Sequence, residues 1–267
     1  MSNIPAPGLE TAWIEPFIDK GFLRLDGAFS RALAREGREA LWSAIGSAMG
    51  LSPHAPAGWT QPVVRLGFQS GRPFVEAANT PRLHAAYDAL AGEGRWIAPA
   101  GLGTFPIRFP SPDDPGDAGW HVDASFGTGN PDFMQWRVNV RSRGRALLML
   151  FLFSDVGPDD APTRLRIGSH AAIARRLLPH GEEGMTLAEL AADDFAQTAA
   201  LPEALATGEA GTVYLCHPFL VHAAQPHRGH APRFLAQPPL LPKGPFDPAQ
   251  PPSPVQIAIR KACGLPR

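Results

Sequence analysis

Residues 146–153, Ala-Leu-Leu-Met-Leu-Phe-Leu-Phe, form an unbroken apolar run closed by Ser154-Asp155-Val156-Gly157-Pro158. That length and that boundary fit a strand buried on both faces better than a helix. A strand of this kind needs a packed layer on each side, so the chain is restricted to layered architectures with a sheet inside. Other short apolar or alternating runs share the region, at 104–109, 136–140, 164–167, 212–216 and 234–240, separated by Gly, Pro and Asp clusters. Short strands at such spacing predict an antiparallel sandwich or jelly roll. The 27 glycines and 30 prolines suit that reading and argue against a helical bundle.

The first hundred residues have another texture. Gly21–Leu25 alternates as a short strand, and Ser30 stands at an N-cap before Leu33, Ala40, Leu41, Ala44, Ile45 and Ala48 at helical spacing. Thr80-Pro81 opens a second helix with the buried stripe Leu83, Ala86, Tyr87 and Leu90. Residues 51–79 read as loops with a short strand at Val63–Leu66. Further on, Thr186 and Glu189 form a capping box ahead of Leu187, Leu190 and Ala191. A chain of 267 residues is well within the size of one elaborated domain. The expected organisation is a mainly helical elaboration over 1–100, a β core over 101–241, and a proline-rich tail over 242–267, of which 242–254 is read as an extended arm or linker. The fold class expected is mainly β with flanking helices, α+β.

Charge and cysteine content exclude several functions. With 24 basic and 25 acidic residues the formal net charge is −1, which gives no basic surface for nucleic acid or an anionic membrane. Cys216 and Cys263 cannot build a disulfide framework and belong to no CxxC pair. No apolar stretch approaches the roughly 20 residues of a membrane span, and no basic-then-apolar leader opens the chain. A soluble, cytoplasmic protein is expected.

Nine histidines are present. His121 stands out because Asp123 follows two positions later. In extended backbone both side chains share a face and can bind one ion together. A second histidine from elsewhere would complete a two-histidine, one-carboxylate face that leaves adjacent coordination positions open, as non-haem Fe(II) oxygenases require. The segment Gly211–Arg233 supplies candidates: a glycine turn, a strand, His217, then His222, then Arg233 eleven positions on.

In these residues the chain resembles the phytanoyl-CoA dioxygenase-like family of Fe(II)/2-oxoglutarate-dependent oxygenases. The family pattern is H-x-D, a long insertion, a distal histidine, and an arginine about eleven residues later. The resemblance implies that His121, Asp123 and His222 are the iron ligands and that Arg233 holds the far carboxylate of 2-oxoglutarate. It implies a double-stranded β-helix, that is, a cupin-like jelly roll. It also implies Fe(II), 2-oxoglutarate and O2 as cofactor and co-substrates, and oxidation of an unactivated C–H bond of a small molecule with release of succinate and CO2. Arg108 and Asn139, on the strands flanking H-x-D, are the candidates for the co-substrate's near end. The family often carries a hydroxyl residue two positions after the distal histidine. Ala224 stands there, so that donor is either absent or replaced by Tyr214, Thr104 or Asn139. Asp123 itself implies oxygen insertion, since related halogenases replace this carboxylate to admit chloride.

The remaining histidines are assigned away from the metal. His217 is read as a core or supporting residue, and His227 and His230 as solvated. His170 stabilises a turn, and His54, His84 and His180 have no special role. Arg137, Arg141, Arg143 and Arg145 are read as a solvated edge, with anionic-substrate recognition as the alternative. Trp120, Phe126, Trp136 and Phe219 read as packing. Two other functions are compatible with the same residues: a zinc hydrolase, which leaves Arg233 unexplained, and a non-catalytic jelly-roll binding protein. The primary substrate and the oligomeric state are not legible.

Overall fold

The computed structural model describes residues 9–245 and 249–266. Its elements are α1 (Leu9–Lys20), β1 (Phe22–Leu25), α2 (Arg31–Met49), β2 (Val63–Leu66), α3 (Arg72–Ala78), α4 (Pro81–Ala91), β3 (Phe105–Arg108), β4 (Arg137–Val138) and β5 (Leu147–Leu152). There follow β6 (Arg164–Arg166), α5 (Ser169–Leu177), β7 (Met185–Thr186), α6 (Leu187–Ala191), β8 (Glu203–Leu205), β9 (Val213–Cys216), β10 (His222–Ala223), β11 (Leu235–Ala236), β12 (Pro239–Leu240) and α7 (Pro254–Ala262).

The apolar run becomes β5, and both its faces are covered. Leu147, Met149, Phe151 and Phe153 join one apolar cluster, which includes Ala34, Leu41 and Ile45 of α2 and Phe74 of α3. Leu148, Leu150 and Leu152 join a second, with Leu165 of β6 and Tyr214 and Cys216 of β9. The period-two alternation of a strand thus assigns each residue to a layer, helices on one side and the β10-β6-β8 sheet on the other. Helix α2 comes close: a Cβ on Gly37 would lie 2.6 Å from the Phe153 ring, so the helix carries glycine at the contact.

Every paired strand is antiparallel. In the large sheet β5 is flanked by β9, with β1 beyond it, on one edge and by β11 and β12 on the other. The expected 234–240 strand is interrupted, yet its register is continuous, with Ala236 opposite Phe151 and Pro239 opposite Leu148. Pro238 has no N–H to give, and the Gln237 N–H turns to the Thr104 carbonyl at 2.9 Å. Smaller pairs β2-β3 and β4-β7 complete the β content.

The helix signals hold at Ser30 and Thr80, whose hydroxyls accept from the N–H groups of Leu33 and Leu83. The Thr186/Glu189 capping box is present and opens a helix of only five residues. One expectation is corrected: residues 72–78, read as loop, form α3, started by Pro73 behind Gly71. Beyond the stretch read as an extended arm, a helix went unread: Ser253 and Gln256 make a second capping box, and Val255, Ala258 and Ile259 of α7 are buried against α1 and α5. Among the described residues, no helix is long and apolar enough to cross a membrane.

Candidate metal centre

Strand β10 is two residues long, and it is held on three sides. His222 pairs with Leu165 of β6. The preceding residue, Val221, accepts from the Arg166 N–H at 3.0 Å and donates to Ser169 Oγ at the start of α5 at 2.9 Å. On its other edge His222 forms an isolated antiparallel bridge with His121, each N–H donating to the other's carbonyl at 3.0 Å. Directly opposed residues in such a bridge put their side chains on one face. The two imidazole centroids are accordingly 4.2 Å apart.

Asp123 joins the same face, with Oδ1 3.8 Å from His222 Nε2. His121, Asp123 and His222 each offer a ligand atom, all within 4.8 Å of one another. Nδ1 of His121 lies 3.0 Å from the Gly119 carbonyl, and Nδ1 of His222 lies 3.0 Å from the Leu220 carbonyl. A carbonyl can only accept, so Nδ1 carries a proton in both rings, which leaves Nε2 as the ligand atom each ring can offer. Burial, assisted by the neighbouring His121, lowers His222 to about 4, so it is neutral at physiological pH as ligation requires. Burial acts to raise Asp123, but the Arg145 guanidinium beside it outweighs burial and holds the carboxyl below its ordinary range. Two imidazoles and a carboxylate in reach of one centre suit a divalent transition metal.

The triad lies in a cavity of about 710 Å³. Arg108 and Arg233 line it and are opposed to each other across a second isolated bridge. Arg233 is seated beside β3, its backbone N–H and carbonyl exchanging hydrogen bonds with Arg108. The Arg233 fork is anchored from behind, Nη2 donating to the Pro106 carbonyl at 2.9 Å and Nη1 to that of Ala161. Among the described residues Nε has no partner, and burial together with Arg108 lowers this guanidinium to about 9. Arg108 donates from Nη2 to both Asp117 oxygens at 2.6 and 2.7 Å, while its Nε and Nη1 have no partner among the described residues. Two buried cations against one carboxylate leave a site in want of an anion.

Asn139 does not reach the cavity. It is fully buried, its amide donating to the Glu182 carbonyl at 2.8 Å and its oxygen accepting from the Arg143 N–H, so it braces a turn. Ala224 lines the cavity as expected; of its three proposed substitutes only Thr104 does, joined by Gln237 and Thr163. Tyr214 donates elsewhere, to the Thr207 carbonyl at 2.7 Å.

His217 is a core residue, its Nδ1 accepting from the Phe219 N–H and its Nε2 beside the Val255 carbonyl. His170 is buried within α5, beyond its turn, with Nε2 3.0 Å from the Ile18 carbonyl. His227 was expected in solvent and is instead buried, its Nδ1 taking the Gly229 N–H and closing the turn. His230 is exposed. Trp120 and Trp136 line the cavity, and the Trp120 ring lies against Arg164 and Arg166.

The arginine series divides. Arg137 and Arg141 pair with Glu183 and Glu182, and Arg143 lies over Phe126. Arg145 was missed: it is drawn inward, with Nη1 2.6 Å from Asp123 Oδ2. Its place immediately before the buried run at Ala146 was the available signal, since a side chain there stands where the chain enters the core.

The family model for phytanoyl-CoA dioxygenase (PhyH) matches residues 54–235. Among solved structures the chain is similar to the non-heme alpha ketoglutarate dependent carbocyclase SnoK from nogalamycin biosynthesis, at 14% identity and TM-score 0.56, covering 92% of this chain and 94% of that one. It is similar to the epimerase SnoN in complex with Fe3+, alpha ketoglutarate and nogalamycin RO, at 16% and 0.55, covering 93% of each. HygX from Streptomyces hygroscopicus, with nickel, 2-oxoglutarate and hygromycin B bound, matches at 16% and 0.52, covering 88% of this chain and 87% of that one. At these identities the likeness is one of fold. No curated protein matches the chain.

Proposed function

The chain belongs to the phytanoyl-CoA dioxygenase family of Fe(II)- and 2-oxoglutarate-dependent oxygenases, and we propose that His121, Asp123 and His222 hold its iron for oxidation of an unactivated C–H bond of a small-molecule metabolite, with release of succinate and CO2. The observation that carries this reading is the convergence of the three ligand atoms within 4.8 Å, with Nδ1 of each ring engaged by a backbone carbonyl. The antiparallel strands bearing them, tied by the His121–His222 and Arg108–Arg233 bridges, are read as the two faces of a double-stranded β-helix.

Each cavity residue then has a task. Iron, when bound, supplies chelation of the keto acid and activation of O2. Arg233 seats the far carboxylate of 2-oxoglutarate with the N–H groups left over from its backbone anchors. Arg108 adds a second cation beside it, and Asp117 keeps that pair from repelling itself when the seat is empty. Thr104 and Gln237 are the donors in place of a hydroxyl at Ala224. The substrate lies against the apolar wall of Phe133, Met134, Leu187 and Ala191; Phe133 is 58% exposed, so a ligand there removes apolar surface from water. SnoN and HygX, crystallised with nogalamycin RO and hygromycin B, support a small-molecule substrate.

The test is anaerobic titration of Fe(II)-loaded protein with 2-oxoglutarate, followed by a substrate screen that reads succinate in air. His222→Ala abolishes succinate formation and weakens metal binding, whereas His217→Ala leaves metal affinity near that of the parent. Metal loss in His217→Ala alone overturns the ligand assignment. Ester hydrolysis with zinc and no succinate with iron would favour the hydrolase.

A further inference from the structure

Asp123 presents its two oxygens to different partners. Oδ1 faces the histidines, 3.8 Å from His222 Nε2, while Oδ2 accepts from Arg145 Nη1 at 2.6 Å. Arg145 Nη2 also donates to the Ala124 carbonyl at 3.3 Å, so the fork grips the backbone next to the carboxylate it holds. The residue is firmly placed. Its turn is closed by Ser142 N–H to the Asn139 carbonyl at 2.9 Å and by Ser142 Oγ to the Arg145 carbonyl at 2.7 Å. That turn is clamped onto the Asp123 segment: Ser125 Oγ donates to Arg143, and a Cβ on Gly144 would lie 2.4 Å from the Ser125 carbonyl. Gly144 adopts φ +83, so both its conformation and its closeness call for glycine.

We infer that Arg145 is a positioning residue that restricts Asp123 to single-oxygen ligation, and so keeps open the coordination position that 2-oxoglutarate needs. The inference rests on the metal reading of His121, Asp123 and His222. A carboxylate with both oxygens free can bind an ion through one or both. Three protein ligand atoms leave a six-coordinate ion room for a bidentate keto acid and O2, and a fourth, from Oδ2, removes one of those places. A guanidinium on Oδ2 prevents that rotation, and its charge also works against a nearby dication. Its loss therefore moves the two affinities in opposite directions.

The experiment uses Co(II) as a spectroscopic probe in the full chain, with Arg145→Gln and Arg145→Lys beside the parent. Arg145→Gln is expected to bind Co(II) at least as tightly as the parent, with an altered visible absorption before any co-substrate is added. Its 2-oxoglutarate affinity is expected to fall about tenfold or more, the usual scale for residues that orient metal ligands. Arg145→Lys, which can still cap Oδ2, restores most of that affinity. Joint loss of Co(II) and 2-oxoglutarate binding in Arg145→Gln, with lowered thermal stability, would mean a merely structural residue. Unchanged Co(II) absorption or unchanged 2-oxoglutarate affinity in a folded variant also overturns the inference. A parent protein that fails to bind Co(II) instead overturns the metal reading itself.

Discussion

Arg233 shows why one guanidinium resists replacement by another cation. Its two terminal nitrogens satisfy the carbonyls of Ala161 and Pro106 and still have N–H groups to offer, which the single nitrogen of lysine cannot match. Burial already lowers Arg233 to about 9, and a lysine starts lower and shifts more readily. Arg233→Lys is expected to raise the KM for 2-oxoglutarate by about ten- to a hundredfold, the scale of one lost charge-assisted hydrogen bond, with metal affinity unchanged. Steady-state kinetics with varied 2-oxoglutarate, beside a metal titration, checks both halves. At this scale the sequence was informative where residue types are rare and spacing is short. H-x-D puts His121 and Asp123 on one face by strand geometry alone. His222 was chosen over His217 only through the family spacing to Arg233, because nothing local separates two histidines near one strand. Arg145 and its three neighbouring arginines look alike until the turn at Asn139 sends one inward and the others to Glu182, Glu183 and Phe126.

Elements were legible in proportion to how much local chemistry specifies them. Strand β5 needed no partner to be recognised, since eight apolar residues before a turn have few other uses. Leu150 at its centre is fully buried, and Leu150→Ala is expected to cost about 2–5 kcal/mol in urea unfolding. Helix α7 carried the same kind of signal in Ser253, Gln256, Val255, Ala258 and Ile259, but the prolines upstream hid it by composition. Its N-cap is a separate, smaller contribution: Ser253→Ala is expected to lose about 1 kcal/mol by the same measurement. The two-residue strand β10 could not be read at all, and β4 was legible only as part of the longer run 136–140. Their backbone partners come from other parts of the chain, so no window of sequence contains the interaction that defines them.

For the molecule as a whole, the layered plan followed from β5, while the neutral histidine pair beneath the sheet appeared only on folding. His170 and His217 lie with ring centroids 4.9 Å apart, and a Cβ on Gly21 would lie 2.5 Å from His170 Nδ1. Burial lowers His170 to about 4, Asp19 pulling it up and Lys261 and Arg175 down, and burial lowers His217 well below its ordinary value. Unfolded, each titrates near 6.5. Below that value the unfolded chain binds protons that the native state refuses. Stability is therefore full above about pH 6.5 and declines as pH falls toward 4, His170 alone accounting for up to about 3 kcal/mol. Urea unfolding at a series of pH values should show this slope, flattened in His170→Asn; an equal slope in both proteins would assign the loss to groups other than His170. The mutual hydrogen bonds of His121 and His222 have a further consequence. Neither segment can fray without releasing the other, so an ion seated across them acts as a rivet, and hydrogen exchange at both amides should slow together when the site fills.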